Sequence, residues 1–393
     1  MSVPTADRAT HAILAASAAH RWLVCTPSAR LEATLPETPS TYAEEGTLAH
    51  EVAALVMRKY FVEPMSQRSF NNRLKKLRGH ELYQDEVLRH AETYLDYAKQ
   101  IYMAYDTSPY TAIEVRLDLA EYVPEGFGTA DCIIIGGTTL HVIDYKYGKG
   151  VPVSAEQNPQ MMLYALGALA KYSMLYDITA VKMAIVQPRL DTISEWGISA
   201  FDLRDWGKTY VKPRAQLAWN GEGEYVAGDH CRFCRAKSTC RARTDFYMAL
   251  EDFGQIKPPL ISNQEVGEVL KRAEGLAAWL DDLKQYALAE CLKGNEIPGW
   301  KAVEGRAVRQ WTDMEAAFEA LKAAGIDEAM LYERKPLTLA ATEKLLGKPR
   351  FNELVSTYVT TPPGKPALVQ ASDKRPAITR PGAVSDFGTQ ATE

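Results

Sequence analysis

The sequence predicts a mixed α/β (α+β) fold, in which a small mixed sheet is flanked by helices and followed by a further helical region. Three observations support this prediction. Helical apolar spacing dominates the start of the chain, and strand-like alternation dominates the middle. The predicted elements also follow one another as helices, three strands, a helix, two strands and a helix.

Residues 1–110 are predicted to form an N-terminal helical part. The stretch "YAEEGTLAHEVAALVMRKYF" has helical apolar spacing after a polar start, and "GHELYQDEVLRHAETYLDYAKQIYMAY" predicts a second, longer helix. The first of these helices carries His50 among small residues. Its ring could therefore project into a cleft, although a single histidine is more often surface or core filler.

Residues 111–254 are predicted to form the core. "TAIEVRLDL" alternates as a strand, and "GTADCIIIGG" ends in a Gly-Gly turn that pairs it with "TTLHVIDYKYG" as a hairpin. A helix and two strands are predicted next, in the order "AEQNPQMMLYALGALAKY", "ITAVKMAIVQP" and "TISEWGISAF". The helical stretch "LRDWGKTYVKPRAQLAWN" closes the core, and Pro213 is expected to kink it.

Residues 255–360 are predicted to form a helical C-terminal domain. It contains one long amphipathic helix, "GEVLKRAEGLAAWLDDLKQYALAECL", which is expected to pack on the core, and a short hairpin in "GWKAVEGRAVRQW". Residues 361–393 are rich in Pro, Ser, Thr and Gly and are predicted to be a disordered tail, because this composition cannot bury a core.

The composition limits the class of protein. The chain has 393 residues, 46% of them hydrophobic and 24% charged, as in ordinary globular proteins. No apolar run reaches the roughly 18 residues of a membrane span, and the N-terminus has no signal-peptide pattern. We therefore expect a cytosolic protein without a membrane partner. The formal net charge of −5 disfavours a uniformly basic surface but allows local basic patches.

The hairpin carries an acid on each strand. Asp131 lies in the second predicted strand, and Asp144 and Lys146 lie at the end of the third. Two neighbouring carboxylates need a positive charge between them, and Mg²⁺ binds carboxylates, water and phosphate oxygens. The period of two places Lys146 on the face of Asp144, where a lysine can orient a water and stabilise developing negative charge. A surface ion pair is the alternative that this spacing alone leaves open.

These residues and the motifs around them resemble the RecB-like branch of the PD-(D/E)XK nucleases. The matching motifs, in order, are a helical G-T-x-x-H with His50, G-T-A-D with Asp131, I-D-Y-K with Asp144 and Lys146, and Q-x-x-x-Y. The last of these contributes Gln160 and Tyr164, four residues apart and so on one helix face.

This resemblance implies roles for the matching residues. It implies a PD-(D/E)XK restriction-endonuclease-like core, Mg²⁺ or Mn²⁺ as cofactor, and Lys146 as the residue that activates water. The implied metal ligands are His50, Asp131, Asp144 and the backbone carbonyl of Tyr145. Gln160 and Tyr164 would line the active site, and Glu114 stands where this branch often has an acid.

Three of the six cysteines lie near the end of the predicted core as C-x2-C-x5-C, at Cys231, Cys234 and Cys240. Three close thiols are a partial site, because zinc and [4Fe–4S] clusters normally need four ligands. The fourth ligand could come from His230, Cys25, Cys132 or Cys291. Cys132 and Cys291 are interpreted as ordinary structural cysteines, and residue chemistry alone slightly favours zinc.

The resemblance reverses the preference for zinc. CRISPR-associated RecB-like exonucleases and AddB-type nuclease domains have one cysteine before the nuclease motifs and three after them, and these hold a [4Fe–4S] cluster. Cys25 with Cys231, Cys234 and Cys240 has this layout, with Zn²⁺ as the alternative. The cluster would join the N-terminal helices to the end of the core and restrict the unfolded chain.

Basic residues supply candidate DNA contacts, which lie near the second predicted helix, after the third strand and among the cysteines. They are Arg73, Lys75, Lys76, Arg78, Lys149, Arg235 and Arg241. A solvated surface is the alternative for each basic stretch.

The chain is also similar to an uncharacterised RecB-like family of phages and prophages, in which "IPGWKAVEGRAVRQW" recurs. The similarity implies a DNA exonuclease acting on ends or single strands during phage recombination or replication in a bacterial cytoplasm. A phage single-strand-binding or recombination protein would be a partner. The alternative function is a non-catalytic protein that binds DNA ends, and the oligomeric state stays open.

Overall fold

The computed structural model describes residues 12–36, 41–249, 262–303, 313–324, 327–332, 338–355 and 358–359. The chain divides into two compact units, Met1–Val303 and Glu304–Glu393. No helix among the described residues is long and apolar enough to cross a membrane.

The first unit begins with helices. Their bounds are α1 Ala19–Trp22, α2 Ser28–Ala33, α3 Thr41–Phe61, α4 Gln67–Arg78 and α5 Asp85–Met103. The α4 helix was not predicted, and it carries the predicted DNA contacts Arg73, Lys75, Lys76 and Arg78. Ser66 caps it by accepting a hydrogen bond from the amide of Ser69 at 3.2 Å, which satisfies a free N–H of the first turn.

A mixed five-stranded sheet follows, in the order β1-β2-β3-β4-β5, and confirms the predicted fold class. Its strands are β1 Tyr110–Asp118, β2 Phe127–Gly136, β3 Thr139–Tyr145, β4 Ala180–Gln187 and β5 Thr192–Ser199. The predicted hairpin is present, since β2 and β3 pair antiparallel. β3 and β4 are parallel and are connected through α6 (Pro159–Tyr172).

The two faces of the sheet carry separate apolar cores. The α6 helix covers one face, where it packs against residues such as Leu117, Val142 and Ile185. The α3 and α5 helices cover the other face, where Ile134, Ile143 and their neighbours are buried. The end of β3 therefore lies between helices on both sides, and this places Asp144 and the residues after it at the junction of three layers.

The predicted helix after β5 is continuous but irregular. It consists of α7 (Ala200–Trp206), a π-helical segment (Gly207–Val211) and α8 (Lys212–Asn220). Pro213 lies in the first turn of α8, where a missing N–H costs little. The irregular turn therefore comes directly before the proline rather than at it.

The predicted long amphipathic helix was wrong in its length. It is two helices, α10 (Asn263–Ala273) and α11 (Leu276–Leu292), because Gly275 adopts φ 80° between them. A capping box of Ser262 and Glu265 starts α10.

The remaining helices complete the described chain. In the first unit, α9 (Arg241–Met248) precedes α10. In the second unit the helices are α12 Met314–Ala323, α13 Glu328–Leu331, α14 Leu339–Leu346 and α15 Lys348–Val355. The predicted hairpin strand after Val303, the domain boundary at 254/255 and the tail 361–393 lie outside the described residues.

Candidate metal centre and active site

A local distortion of the β1–β2 ladder brings two acids together. Ile113 pairs with Cys132 and Val115 pairs with Ala130, but Glu114 and Asp131 between them do not pair. Glu114 has φ 54°, a left-handed conformation that is uncommon for residues other than glycine. Such strained residues are concentrated at functional sites.

These acids and a histidine form what we call the cation triad: His50, Glu114 and Asp131. One ligand atom from each residue lies within 4.8 Å of the others. The Nδ1 of His50 on α3 is 3.4 Å from Asp131 Oδ1, and Asp131 Oδ2 accepts a 2.7 Å hydrogen bond from the amide of Tyr145. An imidazole and two carboxylates form a donor set suited to Mn²⁺ or Mg²⁺.

The protonation of the triad reflects its crowding. Burial and the negative charge of Asp131 raise the pKa of Glu114 to about 7. Burial lowers the pKa of His50, but its attraction to and hydrogen bond with Asp131 outweigh this and raise the pKa to about 9. In the free protein, protons therefore balance part of the carboxylate charge, and a bound cation would displace them.

Asp144 and Lys146 form an ion pair beside the triad, with 3.0 Å between Oδ2 and Nζ. The side chain of Asp144 is 3% exposed, and burial raises its pKa despite the lysine. Burial lowers the pKa of Lys146, but attraction to Asp144 and Asp131 outweighs it and raises the pKa, so Lys146 is a cation. Lys146 occupies one lone pair of Asp144 Oδ2, and the second lone pair of that oxygen can bind a cation.

The α6 helix completes this second half of the site. Asn158 caps it by accepting from the amides of Gln160 and Met161, and Pro159 occupies the first turn. Gln160 Oε1 accepts from Lys146 Nζ at 3.2 Å, and its Nε2 donates to the hydroxyl of Tyr164 at 3.1 Å. Burial raises the pKa of Tyr164 to about 12, so this hydroxyl stays protonated at neutral pH.

The structure thus places the predicted site residues in two adjoining groups. Glu114 joins His50 and Asp131, whereas Asp144, predicted as a metal ligand, lies next to them and faces Lys146. The amide of Tyr145 donates a hydrogen bond to Asp131. The ring of Tyr145 packs edge-on against His50, with ring centroids 5.5 Å apart. The carbonyl of Tyr145 stays a predicted ligand.

The predicted basic residues fall into different surroundings. Arg73 and Lys76 line a cavity of about 530 Å³ that reaches His50 and Glu114, but Lys75 does not line it. Arg78 bonds to the hydroxyl of Tyr83 at 3.3 Å instead.

The other predicted DNA contacts lie elsewhere. Lys149 is exposed, 3.8 Å from Glu86. Arg235 and Arg241 are exposed beside the cysteines, and the Arg235 guanidinium donates to the carbonyl of Leu35 at 3.1 Å.

Two arginines near the site are not among the residues predicted from the sequence. Arg58 lines the same cavity and follows His50 by eight residues, so helical spacing could have shown that they share a face. Arg189 is buried between Glu45 (2.9 Å) and Glu86 (3.3 Å), with its guanidinium 4.4 Å from the ring of Tyr147. It joins α3 and α5 to the segment after β3, and no local pattern indicates this.

The four-cysteine region comprises Cys25, Cys231, Cys234 and Cys240. Cys25 lies in the turn between α1 and α2, and the other three lie in a short segment packed against these helices; none of the four forms a disulfide. Burial raises the pKa of the Cys234 thiol to about 11. Among the described residues, no three of the cysteine sulfurs lie within 4.8 Å of one another.

Side chains hold the two segments of this region together. Glu32 pairs with Arg21 at 2.5 Å and accepts from the amide of Arg235 at 2.8 Å. Arg21 also donates to the carbonyl of Phe233 at 3.0 Å. Cys25 and the later cysteines thus lie on neighbouring segments, as a shared ligand requires.

The α9 and α11 helices support the cysteines from the other side. Arg243 and Lys237 both pair with Asp282, at 2.7 and 2.6 Å. Tyr247 stacks on Trp279 with ring centroids 5.1 Å apart. The α11 helix therefore packs onto the end of the cysteine segment. Cys132 is fully buried in β2 and Cys291 lies in α11, as interpreted from the sequence.

Comparison with known proteins gives two findings. Residues 11–376 match the model of a family described as "Protein of unknown function (DUF2800)". A solved structure described as "Crystal structure of SSO0001" is similar at 14% sequence identity, covering 57% of this chain and 97% of that chain, with a TM-score of 0.25. At this TM-score the similarity does not establish a shared fold.

Proposed function

The chain belongs to the DUF2800 family, and we propose that it is a metal-dependent DNA nuclease. The observation that carries the proposal is the cation triad next to a buried carboxylate–lysine pair at one end of the sheet. The four motifs that resemble RecB-like PD-(D/E)XK nucleases supply these residues in the order of that family.

The donor set fits Mg²⁺ or Mn²⁺. His50, Glu114 and Asp131 would hold the cation, with the Asp144 carboxylate adjacent to them and paired with Lys146. When bound, such a cation polarises a phosphodiester and lowers the pKa of water. The protein supplies oxygen ligands and one imidazole, which suits Mn²⁺ as well as Mg²⁺.

Lys146 would orient the attacking water. Its ammonium is held by Asp144 at 3.0 Å and by Gln160 at 3.2 Å, so it keeps one position. A fixed cation there orients a water and stabilises negative charge developing on the phosphate. Gln160 and Tyr164 hold each other and Lys146 in place, and they line the side of the site covered by α6.

The layout of one cysteine before the nuclease motifs and three after them supports a structural [4Fe–4S] cluster, because it resembles the layout in RecB-like nucleases that hold one, with Zn²⁺ as the alternative. We propose the cluster as a connection between the N-terminal helices and the end of the core, away from the chemistry.

The proposed substrate is DNA at ends or in single strands, in phage or prophage recombination or replication. This part of the proposal rests on the resemblance of the motifs and of "IPGWKAVEGRAVRQW" to RecB-like proteins of phages. A phage single-strand-binding or recombination protein is the corresponding proposed partner.

The test is cleavage of end-labelled single-stranded and duplex DNA in Mg²⁺ or Mn²⁺. Wild type is expected to degrade DNA, and Lys146→Ala is expected to lower the rate by on the order of 10²–10³-fold, the usual cost of removing one group that stabilises transition-state charge. Lys99→Ala, which removes a partly exposed lysine on α5, is the matched control.

Equal rates for wild type and Lys146→Ala would contradict the catalytic assignment. Binding of DNA ends without cleavage by wild type in either metal would favour the non-catalytic alternative.

A further inference from the structure

A cleft between α3 and α4 opens directly onto the cation triad. Its volume is about 530 Å³, and both His50 and Glu114 form part of its wall. This volume falls within the roughly 300–1,000 Å³ of sites that enclose small molecules, so it matches a short piece of one nucleic-acid strand rather than a duplex.

The cleft wall carries an excess of positive charge. Arg58, Arg73 and Lys76 line it, against one acid outside the triad, Glu51. Arg73 is partly neutralised by Glu63 at 3.1 Å. Arg58 and Lys76 make no ion pair with any described residue, so two cations are available to an anionic ligand.

The positions of these cations relative to the triad define what they can reach. Arg58 is eight residues beyond His50 on α3, about 12 Å along the helix axis at 1.5 Å per residue. Its side chain lines the same cleft as His50 and Glu114, so it can contact a phosphate of a strand bound at the triad.

Apolar side chains lie between the charges. Ala54, Leu55 and Leu77 form part of the same wall. A ligand that suits this cleft alternates anionic and apolar groups, as the phosphates and the sugars and bases of a nucleic-acid strand do. A free phosphate would leave the apolar part uncovered.

We propose that the α3–α4 cleft binds one unpaired DNA strand next to the triad, with Arg58 and Lys76 as phosphate contacts. The inference rests on the proposed nuclease function and deepens it, since it assigns single-stranded DNA as the substrate. It also separates Lys76, which lines the cleft, from Lys75, which does not, although both are exposed and lie in the same basic stretch.

The experiment measures binding and cleavage separately. Binding of a fluorescein-labelled oligothymidylate and of a blunt hairpin duplex is followed by anisotropy across a salt series, in a Lys146→Ala background that prevents turnover. Arg58→Gln and Lys76→Gln are each expected to reduce the salt slope for the single strand by about 0.7, the value for one lost phosphate contact.

The matched control is Lys59→Gln, the same loss of charge one residue from Arg58. Lys59 lies over the ring of Phe70 and donates to Gln67, outside the cleft wall. It is expected to keep the slope. With Lys146 restored, Lys76→Gln should raise KM for single-stranded DNA several-fold and leave kcat within twofold.

Two results would overturn the cleft assignment. Lys75→Gln lowering the slope as much as Lys76→Gln would indicate a diffuse basic surface, and equal losses for the hairpin would remove the preference for a single strand. Absence of cleavage by wild type would contradict the nuclease function instead, while the binding slopes would still decide the cleft.

Discussion

The cation triad and the four-cysteine region are both assembled from distant parts of the chain, but they are held in different ways. Donor atoms of the triad lie within 4.8 Å of one another on α3, β1 and β2, whose backbones are fixed by helix and ladder hydrogen bonds. The cysteines lie on turns, and the pairing of Glu32 with Arg21 and Arg235 holds their segments together.

The difference shows what each region requires to keep its shape. The paired residues on either side of Glu114 and Asp131 fix this part of the ladder, so the two carboxyl groups are held close together, and protons on His50 and Glu114 balance part of their charge. Short turns have few backbone hydrogen bonds of their own, so the cysteine segments depend on buried side-chain pairs, and the proposed cluster would join them further. This difference supports the proposed roles, which are chemistry at the triad and a structural connection at the cysteines.

The largest expected effect is loss of the iron–sulfur cluster from a cysteine variant. Anaerobically purified wild type is expected to be brown and to contain iron and acid-labile sulfide. Cys25→Ser should lose both, because a cluster normally needs four ligands. Cys132→Ser, at a fully buried thiol in β2, should keep both. A colourless wild-type protein that contains stoichiometric zinc would contradict the iron–sulfur proposal and support Zn²⁺ instead.

The next effect concerns the ion pair that joins the cysteine segments. Glu32→Ala leaves the guanidinium of Arg21 buried without its carboxylate, and loss of one partner from a buried pair costs about 3–5 kcal/mol. The two side chains are 6% and 11% exposed. The free energy of unfolding from urea titration measures the loss.

Asp96→Ala is the control for this prediction, because it removes the exposed carboxylate that pairs with Lys99 on α5. It should cost less than about 1 kcal/mol. Equal costs for Glu32→Ala and Asp96→Ala would mean that the cysteine segments do not depend on the buried pair.

The smallest of these effects tests whether Glu114 is one of the residues that bind the cation. Glu114→Gln keeps the size of the side chain and removes one charged oxygen donor, and we expect Mn²⁺ affinity to fall about 10–100-fold, a range known for groups around metal sites. Isothermal titration calorimetry with Mn²⁺ measures it, and circular dichroism checks that the fold is kept.

Glu51→Gln provides the comparison for Glu114→Gln, since Glu51 is an exposed acid on the α3–α4 cleft but not in the triad. It should change Mn²⁺ affinity less than twofold. If both variants bind Mn²⁺ like wild type, the cation is held by other residues, with Asp144 the first to examine.

The sequence by itself determined the features that depend on neighbouring residues. Periodicity and turn residues predicted the order of elements and the β2–β3 hairpin. The spacing of two residues predicted that Lys146 lies with Asp144. The stretch 155–172 predicted the helix that carries Gln160 and Tyr164. Each of these follows from steric and hydrogen-bonding preferences that act within a few residues.

Only the tertiary structure decided which of these residues meet. The left-handed turn of Glu114, which brings it to Asp131 and His50, exists because β1 and β2 distort together, and no local pattern marks it. The burial of Arg189 between two helices likewise arises from packing, whereas the break at Gly275 reflects the local ability of glycine to adopt a positive φ. Contacts between distant segments depend on how whole faces are buried, and a side chain's own neighbours in the chain do not encode them.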